Sequence, residues 1–301
     1  MTAELRVGMI GLDTSHVVAF AEILNSASHP YHVAGAKIVV AYPGGSPDFE
    51  LSISRVEGFT KKLREEFRVE IVDSPKAVAE RCDAILLESV DGRVHLQQFR
   101  EIAPFGKPTF MDKPCAVTSA DARVIVGLAR QHRVPLLSCS SLRYSETLVA
   151  ALANAADGPI FGADFLGPMA LQPTQPGLFW YGIHTVEMLY ATLGTGCREV
   201  AAVTTADHDL VVGRWTDGRI GTVRGNRKGN GKFAGLVHRD KGTTFVDASG
   251  HPKPYYASLL EQIIRLFRDR IEPIKLEETV EIIRFIEAAN ESRATGKTVT
   301  L

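Results

Sequence analysis

"RVGMIGLDTSHVVAFAEIL", residues 6–24, decides the fold class of this chain. An apolar run ends at Gly11, and a helix-like segment follows almost at once. A strand that turns sharply into a helix opens dinucleotide-binding domains, where the turn reads G-x-G-x-x-G. Here the turn, residues 11–16, reads Gly-Leu-Asp-Thr-Ser-His, so only the first glycine is in place. The stretch predicts the architecture of a dinucleotide-binding domain with an altered phosphate turn.

The same strand–helix alternation continues to about residue 150. Strand-like runs alternate with amphipathic segments, and they lie at 36–43, 69–73, 83–90, 108–114 and 134–141. This rhythm predicts right-handed crossovers and a parallel, doubly wound sheet. We therefore expect an N-terminal Rossmann-type domain over residues 1–147.

Beyond residue 150 the pattern becomes strand-like and hairpin-like. A strong hairpin signal centres on Asp217-Gly218, and two helical segments close the chain. These features predict an α+β domain over residues 148–301, with a mostly antiparallel sheet, for substrate binding and oligomerisation.

Composition excludes several classes of partner. Of the 301 residues, 45% are apolar and 23% charged, and the formal net charge is −1, which argues against nucleic-acid and anionic-membrane partners. No apolar run approaches the roughly 18 residues of a spanning helix, and the N-terminus lacks a secretory pattern. The four cysteines have no C-x-x-C spacing. We expect a cytoplasmic protein with no metal site and no disulfides.

Four segments carry a family resemblance. "FMDKP" (110–114) is similar to the E-K-P motif of the Gfo/Idh/MocA oxidoreductases, and "YGIHTVEMLYATLG" (181–194) to their G-x-H-x-x-D helix. Residues 83–122 resemble the fourth strand, the following helix and the fifth strand of that family, and residues 277–301 resemble its usual C-terminal ending. The resemblance implies an NAD- or NADP-dependent oxidoreductase acting on a sugar, cyclitol or related polyol. It also implies a homodimer or homotetramer that pairs through the open face of the second-domain sheet.

Lys113 and His184 occupy the motif positions that the chemistry needs. Oxidation of a secondary alcohol requires a base for the hydroxyl proton, and histidine has a suitable pKa. A lysine cation polarises the oxygen and stabilises developing alkoxide charge. The resemblance places the lysine in the first domain and the histidine in the second, meeting across a cleft. Glu187, three residues after His184, lies on the same helix face and is a candidate orienting carboxylate.

The substrate side is less clearly marked. Trp180 replaces an aspartate that the family often has four residues before the histidine, and it either stacks on a sugar ring or packs as a core aromatic. Arg143 is a candidate for an anionic substrate group. The basic stretch 224–233 either holds a substrate anion or forms a solvated hairpin loop.

The altered turn, which begins at Gly11, admits two interpretations. Asp13 precedes a helix and is a natural N-cap, so it occupies the anion site itself and weakens pyrophosphate binding. Alternatively, the hydroxyls of Thr14 and Ser15 reach the phosphates while Asp13 turns aside.

Further cofactor candidates follow the first, fourth and fifth strands. His16 points towards the nicotinamide or packs helix against sheet. Glu88, Ser89 and His95 lie in a turn that sits beside the nicotinamide ribose in the resembling enzymes, or they form a helix-start cap with solvated charges. Asp112 replaces the E-K-P glutamate.

The second strand ends without the acidic residue that binds the ribose in NAD enzymes. Ser46 and Arg55 are candidates for a 2′-phosphate, which would favour NADP, and a plain surface turn is the alternative. Because the fingerprint is altered, two rivals stay open: a cofactor-deficient ligand-binding or regulatory relative, and a lyase or isomerase without net redox turnover.

Overall fold

The computed structural model describes residues 4–301 as two compact units. The first comprises residues up to 116 with 120–139 and 259–276, and the second comprises 117–119, 140–258 and 277–301. The sequence prediction placed the boundary after residue 147, whereas residues 117–119 and 140–147 belong to the second unit and 259–276 to the first. Within the first unit, Arg268 packs on Gly35 and Arg270 donates to the carbonyl oxygens of Gly106 and Arg133.

A six-stranded, wholly parallel sheet forms the first unit, in the order β3-β2-β1-β4-β5-β6. The strands are β1 Leu5–Ile10, β2 Ala36–Tyr42, β3 Glu70–Ile71, β4 Ala84–Leu87, β5 Thr109–Met111 and β6 Leu136–Ser138. The helices are α1 His16–Asn25, α2 Glu50–Glu66, α3 Pro75–Glu80, α4 His95–Ile102, α5 Ser119–His132 and, late in the chain, α8 Tyr255–Asp269, which enters this unit at residue 259. Every residue of β4 is buried, as expected of a parallel strand covered on both faces. The predicted doubly wound architecture is confirmed.

The second unit holds a seven-stranded sheet in the order β12-β11-β7-β10-β9-β8-β13. Its strands are β7 Ile160–Pro168, β8 Cys197–Thr204, β9 His208–Trp215, β10 Ile220–Asn226, β11 Ala234–Arg239, β12 Gly242–Asp247 and β13 Val299–Thr300. The helices are α6 Glu146–Ala153, α7 Gly182–Leu193 and α9 Leu276–Thr295. Only the β7–β10 pair is parallel among the pairings of residues 4–301, so the mostly antiparallel prediction is confirmed.

Turn chemistry explains two connections in this sheet. β9 and β10 form the predicted hairpin, with Gly218 at a φ of 92°. The basic segment 227–233 is not the predicted hairpin loop, because β10 and β11 flank β7 on opposite sides. It is a crossover between two strands that do not pair.

One face of the second sheet is covered by α7 and α9, and the other exposes apolar side chains. Leu189 of α7 packs against Gly221, and Phe285 of α9 against Gly213. On the opposite face Phe245 is 67% exposed and Val203 68%. Across residues 4–301, no helix combines the length and apolar character needed to cross a bilayer.

Candidate functional site

The predicted cofactor residues gather at the carboxyl edge of the first sheet. Strand order reverses between β1 and β4, and ligands of open α/β sheets bind outside the carboxyl ends at such a switch point. Gly11 to His16 follow β1, Glu88 to His95 follow β4, and Asp112 and Lys113 follow β5. The fold thus brings three separate sequence segments to one edge.

Gly11 is required by a close approach between two of these segments. Its φ is 85°, and a Cβ added there would lie 2.4 Å from the backbone nitrogen of Ser89. Only glycine tolerates both conditions. Gly11 therefore fixes the turn after β1 against the turn after β4.

Asp13 does not cap α1, so that prediction is wrong. Its carboxylate accepts the hydroxyl of Ser52 at 2.5 Å and the backbone N–H of Val90 at 2.9 Å, and the residue is fully buried. Burial raises the pKa of Asp13, while the bonds from Ser52 and Val90 oppose that rise. The N-cap of α1 is Ser15, which makes no side-chain capping hydrogen bond. The alternative in which Asp13 turns aside describes this geometry.

Ser46 is buried rather than presented to a ligand. Its backbone N–H donates to Ser52 Oγ at 2.8 Å, and the Ser52 hydroxyl in turn donates to the carboxylate of Asp13. The N–H of Leu12 donates to the carbonyl oxygen of Pro43 at 2.7 Å, so the loop after β2 closes over the turn after β1. A 2′-phosphate would not reach Ser46 without displacing this loop.

His16, Glu88 and Asp112 form a buried charge cluster. The Nδ1 atom of His16 lies 3.5 Å from a Glu88 oxygen and 3.3 Å from an Asp112 oxygen. The three donor atoms lie within 4.8 Å of one another. His16 also stacks on Phe20 of the same helix, with ring centroids 5.7 Å apart.

Burial and charge shift the pKa values of the three groups of this cluster in different directions. Burial raises the pKa of Glu88, with His16 opposing. Burial acts in the same direction on Asp112, but the charges of His16 and then Lys113 outweigh it and lower its pKa. Burial alone would lower the pKa of His16, and interaction with Asp112 and Glu88 instead raises it.

Two of the remaining predicted cofactor residues, His95 and Ser89, have structural partners. His95 is buried, with Nε2 2.7 Å from the Ser89 carbonyl oxygen and Nδ1 2.9 Å from that of Pro114. Ser89 donates its hydroxyl to Gln98. Thr14 is only 5% exposed. His95 therefore joins the turns after β4 and β5, which is a packing role.

In the second unit, His184 lies in the first turn of α7. Its Nδ1 is 2.7 Å from the hydroxyl of Ser140, and its ring contacts those of Tyr181 and Phe233 edge-on. Ser140 also accepts the backbone N–H of Leu142, which fixes its rotamer. A hydroxyl therefore orients the imidazole.

Glu187 and Arg143 bind each other rather than the predicted partners. Arg143 donates to Glu187 at 2.8 Å and also to Glu278. Burial raises the pKa of Glu187 to about 7, with Arg143 opposing. The predicted orienting contact from Glu187 to His184 is replaced by this pair. Arg143 already serves two carboxylates, which weakens its assignment to a substrate anion.

Trp180 precedes α7 and is 9% exposed, with its ring 6.0 Å from that of Tyr181. This burial matches the core-aromatic alternative. Sequence reasoning missed three polar partners, Ser52, Ser140 and Glu278. None lies in a motif, and no local signal links them to Asp13, His184 or Arg143, because the contacts are 39, 44 and 135 residues apart in sequence.

Comparison with solved structures shows the fold. A putative myo-inositol dehydrogenase from Sinorhizobium meliloti aligns with TM-score 0.81 and 16% identity, over 98% of this chain and 99% of its own. GenD2 from gentamicin A biosynthesis, solved with NAD, aligns with TM-score 0.79 and 17% identity, over 100% and 97%. A putative NADPH-dependent oxidoreductase from Desulfitobacterium hafniense gives 0.77 and 16%, over 100% and 98%.

Sequence comparisons give no such match. No family model and no curated protein matches the chain. The fold that the Gfo/Idh/MocA resemblance implies is nevertheless confirmed by these structures.

Proposed function

We propose that this chain is a nicotinamide-dependent oxidoreductase of the Gfo/Idh/MocA type. It transfers hydride between a C–OH carbon of a sugar, cyclitol or related polyol and NAD or NADP. One observation carries the proposal: Gly11 to His16 and Glu88 to His95 follow β1 and β4, the two strands at the switch point, and Asp112 and Lys113 follow the neighbouring β5. The similar solved proteins, which include an inositol dehydrogenase and an NAD complex, support it.

The residues after β1 fit a dinucleotide phosphate. Asp13 is held by Ser52 and Val90, and the N-cap of α1, Ser15, makes no side-chain capping hydrogen bond. The first amides of a helix bind phosphate well, since they lack intrahelical acceptors. The hydroxyls of Thr14 and Ser15, with these amides, would hold the pyrophosphate. When bound, the nicotinamide accepts or supplies the hydride.

The chain's own residues handle the proton and the substrate oxygen. Because Ser140 engages Nδ1 of His184, we assign Nε2 to the hydroxyl proton of the substrate. Lys113 is assigned the substrate oxygen, where its ammonium stabilises alkoxide charge. Removal of that proton makes the carbon a better hydride donor, and the reverse reaction returns the proton from His184.

A cyclitol and sugar panel with NAD⁺ and NADP⁺, followed at 340 nm, tests this assignment. His184→Gln is expected to lower kcat by about 10²- to 10⁴-fold, the usual contribution of a general base. His208→Gln, a histidine hydrogen-bonded to Asn226 in the sheet, is the matched control and should retain activity. Equal activity of the two variants would contradict the role of His184.

The alternative is a cofactor-deficient relative that binds a ligand or regulates. It is favoured by the buried carboxylates of Asp13, Glu88 and Asp112, whose charge opposes a pyrophosphate. Fluorescence titration with NADH and NADPH separates the two functions. Absence of binding of either dinucleotide, together with retained polyol binding, would establish the alternative. Dinucleotide binding without net reduction would instead indicate a lyase or isomerase.

The proposal extends to the surroundings of the enzyme. The partner is a small molecule rather than nucleic acid or membrane, the chain works in the cytoplasm, and it self-associates as a dimer or tetramer. Net charge near neutrality supports the small-molecule partner over nucleic acid or membrane, and the exposed apolar sheet face supports self-association.

A further inference from the structure

The cluster of His16, Glu88 and Asp112 has a geometry and a charge that the oxidoreductase chemistry does not use. The three residues follow β1, β4 and β5, which are adjacent strands, so the fold converges them from distant parts of the sequence. Glu88 is fully buried and Asp112 is 2% exposed. The cluster is therefore a fixed feature of the first unit rather than a set of surface charges.

The carboxylates of this cluster lack hydrogen-bond donors. Within residues 4–301, neither oxygen of Glu88 receives a hydrogen bond, and neither does Oδ2 of Asp112. A buried carboxylate without donors is costly, and in proteins such groups are paired or coordinate metals. Asp13 adds further negative charge beside Glu88, while Lys113 offsets part of the charge of Asp112. The oxygens that face His16 need a positive charge beside them, which either protonated His16 supplies from 3.3–3.5 Å or a metal cation bound at Nδ1 in place of that proton supplies directly.

The spacing of the three donor atoms matches metal coordination better than hydrogen bonding. The separations of 3.5 and 3.3 Å from His16 Nδ1 exceed the roughly 2.7–3.2 Å range of N–H···O bonds. Two ligands that each lie about 2.1 Å from a tetrahedral cation are about 3.4 Å apart. One imidazole and two carboxylates also leave coordination positions for water or another ligand.

We propose that His16 Nδ1, Glu88 and Asp112 bind one divalent transition-metal cation of the Zn²⁺ type. The two carboxylates balance its charge, and the imidazole favours such a metal over Mg²⁺, which prefers oxygen ligands. The proposal differs from the sequence expectation of no metal, which rested on cysteine spacing. Carboxylate and histidine ligands from three strand ends leave no comparable spacing signal. The site stands whether or not a dinucleotide binds.

Calorimetric titration of the chelator-treated, dinucleotide-free chain with Zn²⁺, and separately with Mg²⁺, tests the proposal. We expect one Zn²⁺ per chain, weaker Mg²⁺ binding, and a Zn²⁺-dependent rise in Tm, because a ligand that binds only the folded state stabilises it. Glu88→Gln, which keeps the side-chain shape, should weaken Zn²⁺ binding at least about tenfold.

Glu187→Gln is the matched control, since it removes another buried carboxylate by the same change. It should bind Zn²⁺ as the parent does. Equal weakening of both variants, or a parent that shows neither saturable Zn²⁺ binding nor a Tm shift, would overturn the site. The parent measurement decides even if Glu88→Gln fails to fold. Because no dinucleotide or polyol is present, the outcome is separate from the test of the oxidoreductase.

Discussion

Ser140 shows how a residue outside every motif shapes the site. Its hydroxyl lies 2.7 Å from Nδ1 of His184 and accepts the backbone N–H of Leu142. The bond from Leu142 holds the hydroxyl in position, and the hydroxyl in turn orients the imidazole ring. Asp13 is a similar case, because its partners Ser52 and Val90 decide which way the carboxylate points. At this scale, hydrogen bonds between distant residues determine roles that residue type leaves open.

Ser140→Ala is expected to lower kcat about two- to twelvefold with little change in KM, since one hydrogen bond contributes about 0.5–1.5 kcal/mol. Steady-state kinetics on the polyol substrate measures this effect. Ser140→Thr keeps the hydroxyl and should restore most of the rate. A failure of threonine to rescue would point to a packing role instead.

Gly11 is expected to matter for stability regardless of any cofactor. Gly11→Ala would place a Cβ 2.4 Å from the Ser89 nitrogen at a positive φ, and we expect a loss of about 2–4 kcal/mol in urea unfolding. Gly58→Ala in α2 is the control, because nothing lies within 4 Å of the added Cβ. It should stabilise the chain by about 0.5–1 kcal/mol. Similar effects of the two changes would contradict the close approach of the turns.

At the scale of elements, the second unit is joined by a buried ionic link. Asp209 of β9 accepts Arg293 of α9 at 2.8 Å and also Arg227, which follows β10. The carboxylate is 1% exposed. Burial alone would raise the pKa of Asp209, but hydrogen bonds from Thr204, Arg227 and Arg293 outweigh it and lower the pKa. One side chain therefore ties a helix to a sheet.

Asp209→Asn should cost about 3–5 kcal/mol at pH 7, the usual effect of breaking a buried ion pair. Because the folded pKa lies below the unfolded value of 3.8, this stabilisation is present above that pH and is lost as pH falls through the folded pKa. Urea unfolding at pH 7 and pH 3 measures this effect. The difference in the free energy of unfolding between parent and variant should be smaller at pH 3 than at pH 7.

Asp217→Asn is the control for this change, because its carboxylate is exposed on the β9–β10 turn. It should have a much smaller effect at both pH values. A gap for Asp209→Asn that stays constant with pH would show that the loss is not electrostatic.

At the scale of the whole molecule, the open face of the second sheet exposes large apolar side chains among the described residues 4–301. Leu236 of β11 lies opposite Phe245 of β12, and Ile220 and Val203 extend the apolar side chains across the sheet. Contiguous exposed apolar surface marks an interaction site. This supports the expected self-association, in which a second copy covers the face.

Phe245→Glu is expected to convert a dimer or tetramer into a monomer, because a charge buried at the centre of an interface is costly. Light scattering coupled to gel filtration measures the mass. Ile53→Glu, on exposed α2 in the first unit, should leave the mass unchanged. A monomeric parent would exclude the proposed assembly.

The sequence by itself determined the element order of the N-terminal half and the fold class of both halves. Apolar periodicity and turn residues such as Gly11 and Gly218 are local signals. A few neighbouring residues are therefore enough to predict a strand, a helix or a hairpin. The motif positions of Lys113 and His184 were also readable, since a motif is a contiguous pattern.

Only the tertiary structure decided how the side chains pair. Three contacts join residues that are far apart in the chain: the hydrogen bond from Ser52 to Asp13, the Arg143–Glu187 pair, and the cluster of His16, Glu88 and Asp112. The assignment of α8 to the first unit, and the crossover at 227–233, are also set by packing. Side-chain partners depend on distances that arise only when strand ends meet, and a linear sequence does not specify those distances.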